Sequence, residues 1–147
     1  MSGFLSLPDT GARYEALGIP VRIRAGGGDT GGALDVVEVE FPPGIPFPAH
    51  RHHNSDEAFY VLEGEIMATI GDSVTRVGVG TFAFAPRGIV HGFANESTAP
   101  ARVLAWQSPS PDMVGFLKAL TELTRDGEPD MEQIMSVLQR FDVEPVG

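Results

Sequence analysis

The stretch GIPFPAHRHHNSDEAFYVLEG, residues 44–64, carries three of the four histidines in the chain and, close behind them, the carboxylates of Asp56 and Glu57. His50 and His52 stand two apart, so on an extended strand both imidazoles point to one face. Glu57 opens the apolar run AFYVL, and a turn through Asn54-Ser55-Asp56 can fold it back beside them. The fourth histidine lies in GTFAFAPRGIVHGFAN, residues 80–95, where His91 follows a Pro86–Gly88 corner on a second apolar stretch. Three imidazoles and a carboxylate brought together in an apolar interior are costly unless a cation pairs them.

The 18 Gly and 12 Pro of the chain break it into short segments, the pattern of a barrel of short strands. Strands are expected at Val21–Ala25, Ala33–Phe41, Ala58–Leu62, Ile66–Ile70, Thr81–Ala85, Val90–Ala94 and Arg102–Gln107. Gly71-Asp72 is a two-residue hairpin turn between IMATI and SVTRVGV. After Pro109 the period changes. Met113, Phe116, Leu117, Leu120 and Leu123 recur at helical spacing, as do Met131, Ile134, Met135 and Leu138. Gly127 and Pro129 separate the two helices, and Asp130 is placed to cap the second. A stripe of Leu and Met at this spacing packs on a barrel or on a partner subunit.

Length and composition bound the rest. With 147 residues and no break in composition, one domain is expected: a barrel with its N-terminal strands over 1–110 and a helical tail over 111–147. Cysteine is absent, which excludes disulfides and thiolate chemistry, so any metal is held by nitrogen and oxygen. A formal net charge of −10 repels phosphate backbones and anionic membranes, so neither nucleic acid nor membrane is expected as a partner. The start MSGFLSLPDTGARYEALG lacks the basic and apolar regions of a signal peptide, and the expected location is cytoplasmic.

The two stretches resemble the paired sequence boxes of the cupin superfamily. Gly44, His50, His52, Glu57 and Gly64 fill every slot of the first box, and Gly80, Pro86, Gly88, His91 and Asn95 fill the second. Fifteen residues lie between the boxes, the short spacing of small cupins. The resemblance implies an all-β fold, a double-stranded β-helix (jelly-roll) barrel, here with two short C-terminal α-helices. It implies that His50, His52, Glu57 and His91 hold one divalent transition metal ion: Fe, Mn, Ni, Co, Cu or Zn. Asn95 is expected to serve a turn. His53 points away from the ligand face and is expected at the surface or behind the site, and Arg51 is expected exposed or paired with a carboxylate.

Phe47, Phe59, Met67, Phe82, Phe84, Phe93 and Trp106 are candidates for the substrate pocket, with Phe93 and the Phe82/Phe84 pair foremost. The layout DTGGALDVVE, then EAFYVLEGE, then a helical tail closing on FDVEPVG, is similar to small bacterial cupins related to quercetin dioxygenases. That likeness implies a small aromatic or enolic substrate and O₂. Glu57 would then be both ligand and general base, its basicity raised by the apolar wall. The alternatives are a non-oxidative isomerase, cyclase or decarboxylase on the same ligands, and a binder without turnover. A homodimer is expected, with Val21–Ala25 and the C-terminal helices as contacts.

Overall fold

The computed structural model describes residues 1–147. Its elements run β1 (Arg13–Ala16), β2 (Ile19–Ala25), β3 (Asp35–Phe41), β4 (Pro46–Arg51), β5 (Asp56–Glu63), β6 (Glu65–Ile70), β7 (Ser73–Gly78), β8 (Phe82–Ala85), β9 (His91–Ala94), β10 (Ala101–Ser108), α1 (Met113–Thr124), α2 (Met131–Arg140) and β11 (Glu144–Pro145). Two antiparallel sheets face each other, in the orders β1-β2-β3-β10-β5-β8 and β11-β4-β9-β6-β7. This is the double-stranded β-helix barrel with two helices after it.

Strand alternation builds the core. Along β10, Ala101, Val103, Ala105 and Gln107 are buried while Arg102, Leu104 and Trp106 are only partly covered. Val37 and Phe41 of β3, Phe59 and Val61 of β5, Ile66 and Ala68 of β6, and Phe93 of β9 complete the filling between the sheets. At the far end, buried Asn95 donates to the carbonyls of Phe41 and Ala99 and accepts from the Ser97 amide and hydroxyl. Both ends of its amide are spent on the turn into β10.

Two features set the strands that carry the histidines. The β4–β9 ladder slips between Phe47 and His50, so these residues, three apart, both face inward. Gly92, between His91 and Phe93, lets β4 come close: a Cβ there would lie 3.1 Å from the Ala49 Cα. His50 and His91 are thereby direct cross-strand partners.

Helix α1 starts on Asp112, whose carboxylate accepts from the Gly115 amide, and buries Leu117 and Leu120. Asp35, fully buried, accepts from the Gly27 and Met113 amides and the Ser110 hydroxyl, which fixes the start of α1 to β3. Helix α2 carries a capping box between Asp130 and Gln133 and buries no residue. No helix is long and apolar enough to cross a membrane. The strand at 21–25, expected as a contact between subunits, is paired on both sides, with β1 and β3. It has no free edge to offer a partner; the end strands β1, β8, β11 and β7 do.

Candidate metal centre

His50 lies near the end of β4 and His52 just past it. Glu57 is the second residue of β5 and His91 the first of β9. The ligand atoms of all four lie within 4.8 Å of one another. Each residue is buried, with His91 at 1% exposure and Glu57 at 8%. The Pro86–Gly88 corner delivers His91: Gly88 sits at φ 84, which favours glycine, and its amide donates to the His52 carbonyl.

The tautomers follow from the partners. His50 Nδ1 faces the Pro48 carbonyl at 2.9 Å, His52 Nδ1 the Asp142 carbonyl at 2.8 Å, and His91 Nδ1 the Ile89 carbonyl at 3.0 Å. A carbonyl only accepts, so each Nδ1 carries its hydrogen and each neutral ring presents a bare Nε2 lone pair. Those lone pairs turn toward Glu57, whose Oε2 lies 2.9 Å from His52 Nε2 and 2.7 Å from His91 Nε2. Acceptors at that distance repel unless a proton or a metal cation lies among them. This donor set therefore fits a divalent transition metal: three neutral imidazoles, one carboxylate and no thiolate.

The titration of the cluster agrees. Burial pushes His50 down to about 4, more than the attraction of Glu57 raises it. Burial also opposes a charge on His52, but the hydrogen bond to Glu57 outweighs it and its pKa is raised. Burial alone would raise Glu57; the hydrogen bonds from His52 and His91 outweigh it and hold the carboxyl below the usual range. The expected effect of the apolar wall is present, since burial is the largest single influence on Glu57 and raises it; without a metal the two imidazoles together act the other way and win. Metal binding needs the three Nε2 atoms and the carboxylate free of protons, so metal affinity is expected to fall as pH falls.

The C-terminal segment closes behind the cluster. Besides its carbonyl on His52, Asp142 accepts through its carboxylate from the amides of His53 and Asn54. Glu144 of β11 pairs with Arg51 at 3.0 Å and with the exposed His53. The Val146 amide donates to Ala49. None of these contacts could be read from the sequence, because they join positions about 90 residues apart.

Three of the four, His50, His52 and Glu57, line one end of a cavity of about 390 Å³. Its walls are Val37, Val39, Phe41, Val103 and Ala105 of the barrel, and its roof is Phe116, Leu117 and Leu120 of α1 with Ile134, Met135 and Leu138 of α2. The helical tail, expected as packing, is also cavity wall. Of the pocket candidates, Phe47 and Phe93 border this space. Phe59 stands behind Phe93, ring centroids 4.3 Å apart. Phe82 and Phe84 are 57% and 50% exposed on the outer face of β8, where Phe82 lies against Trp106. Met67 also alternates outward, between buried Ile66 and Ala68. One functional candidate was missed: Gln107, at the inward parity of β10 directly opposite Glu57. A polar residue continuing the inward series Ala101, Val103, Ala105 is the signal that marks it.

Outside the cavity, Asp56 takes a two-pronged ion pair from Arg87, whose backbone amide also donates to it. These bonds pull Asp56 from 3.8 to about 2. A lowered folded-state value means a contribution present above about pH 4 and lost as pH falls toward 2. The urea midpoint of Asp56→Asn is therefore expected below that of wild type at pH 7, with the gap closing at pH 2. A gap that is the same at both values would remove this pair from the stability of the corner.

Residues 37–107 match the family model of the cupin domain. The chain is 32% identical over 82 residues to the tetracenomycin polyketide synthase protein TcmJ of Streptomyces glaucescens, covering 56% of this chain and 54% of that one. It spans about half or less of the length of the curated relatives it matches. The structure of KdgF from Halomonas sp. superposes with a TM-score of 0.67 at 24% identity, covering 77% of this chain and 99% of that one, a likeness of fold. The polyketide cyclase RemF from Streptomyces resistomycificus gives 0.62 at 25% identity, covering 75% and 81%.

Proposed function

Taking residues 37–107 as a cupin domain, we propose that the protein is a metal-dependent enzyme acting on a small aromatic or enolic molecule, with O₂ as co-substrate in the manner of the quercetin dioxygenases. The observation that carries the reading is the convergence of three imidazoles and a carboxylate beside an apolar cavity, which His50, His52 and Glu57 line. A transition metal held by His50, His52, Glu57 and His91 supplies a Lewis acid for a substrate oxygen and, if redox-active, a route for electrons.

The protein's own groups do the rest. The carbonyls on the three Nδ1–H groups hold the rings in one orientation, so the ligands are aimed before anything binds. Glu57 Oε2 faces two imidazoles, which leaves its other oxygen to take the substrate's hydroxyl proton. The helical roof and aliphatic walls surround the cavity's inner end with apolar groups, which would slow reprotonation by solvent of an enolate formed there. An apolar enclosure also admits O₂ without a polar barrier.

A second reading, ring closure without O₂, is favoured by the likeness to the polyketide cyclase RemF. Both readings use the same ligands and the same cavity. Oxygen uptake separates them. Protein reconstituted with each of Fe, Mn, Ni, Co, Cu and Zn is given flavonols and enolic polyketides in an oxygen electrode. One O₂ consumed per substrate lost supports the first reading; product formed equally under nitrogen supports the second. No turnover with any metal would leave a protein that only binds.

A further inference from the structure

The cavity's polar chemistry is confined to one end. Its only polar side chains are His50, His52 and Glu57 of the cluster and Gln107. No Lys or Arg borders it, so it offers no counter-charge to a phosphate or carboxylate group remote from the cluster. Gln107 is 3% exposed, and its Nε2 lies 2.8 Å from His52 Nε2. Its Oε1 is buried with no hydrogen-bond partner. A buried amide oxygen without a partner is destabilising and rare, and it calls for a reason.

The partner of Nε2 is also one it would lose. His52 has a single free lone pair, because its Nδ1–H is committed to Asp142. If His52 gives that pair to a metal, the Gln107 amide is left with a donor and an acceptor, both without partners, beside the ligands. We propose that Gln107 is the substrate-selecting residue: its amide hydrogen-bonds a second oxygen, adjacent to the one that coordinates, on an uncharged apolar ring system. A hydroxyl donates to Oε1 and a carbonyl accepts from Nε2, so a vicinal pair of oxygens is the recognised feature. The inference rests on the proposed metal-binding reading of the cluster, and it names the substrate class for that site.

The test uses zinc-loaded protein, in which binding is read without oxygen chemistry, and two probes differing by one hydroxyl: 2,3-dihydroxynaphthalene and 2-naphthol. Wild type is expected to bind the diol about tenfold tighter or more, the scale of leaving one buried polar group unpaired. Gln107→Leu, and Gln107→Met as a variant of closer length, are expected to bring the two affinities together, with zinc content and 2-naphthol binding unchanged. A packing role for Gln107 would lower both affinities alike. The inference is overturned if wild type shows no preference, or if both variants keep it, which would send the second oxygen to the metal alone. A protein that prefers the diol through Gln107 but turns nothing over loses the enzymatic reading and keeps this one. Wild type that takes up no zinc sinks both.

Discussion

His91→Ala is expected to abolish tight metal binding. The ring it removes is almost fully buried, is the cross-strand partner of His50, and faces Glu57 Oε2 at 2.7 Å. Loss of a residue that merely orients a ligand already costs about 10–100-fold in metal affinity, and His91 presents the donor atom itself. Thermal denaturation gives a readout independent of activity. Metal at 100 times its Kd stabilises a folded protein by about 2.7 kcal/mol. For a chain of this length that is roughly 9 °C in Tm. Wild type should show such a rise on adding zinc, and His91→Ala should show none while keeping the circular dichroism of the barrel. An equal rise in the variant would remove His91 from the ligand set.

The second large effect is expected far along the chain from the ligands. Asp142 stands at φ 61 and holds its carbonyl against His52 Nδ1. Proline cannot reach that φ, so Asp142→Pro must move the carbonyl and free the imidazole to turn. Metal affinity, measured by competition with a chelator, should fall about 10–100-fold. Asp142→Gly keeps the left-handed backbone and the carbonyl, losing only the exposed bonds to the His53 and Asn54 amides. It should stay within about fivefold of wild type, the range expected when only exposed polar contacts are removed. If both variants bind metal like wild type, the C-terminal segment has no hold on the site.

The ligand cluster was legible because its information is local. His50, His52 and Glu57 lie within eight residues, and the corner before His91 is written in Pro86 and Gly88. The strands were legible from alternation, but not which face of each strand turns inward. In FAFA, 82–85, hydrophobicity argues for the phenylalanines as the buried set. Yet Ala85 pairs with Glu57 and Ala83 with Phe59, and the phenylalanines go outside. Parity is set by the partner strand, which the segment itself does not encode. The helices were legible from period, while their task as a cavity roof was not, since an apolar face reads the same against a core or a void. Gln107 was overlooked for the opposite reason: one amide in an apolar strand looks like its end.

The clamp of residues 142–146 on residues 49–54 gives the site a place in time as well as in space. On a ribosome all four ligands are made by residue 91, but the acceptor that aims His52 comes 51 residues later. At ordinary elongation rates that is a delay of roughly 3–10 s. During it the barrel strands can pair, while the ring nearest the tail stays free to rotate. A metal ion met at that stage would find a less ordered set of donors than one met after Asp142 docks.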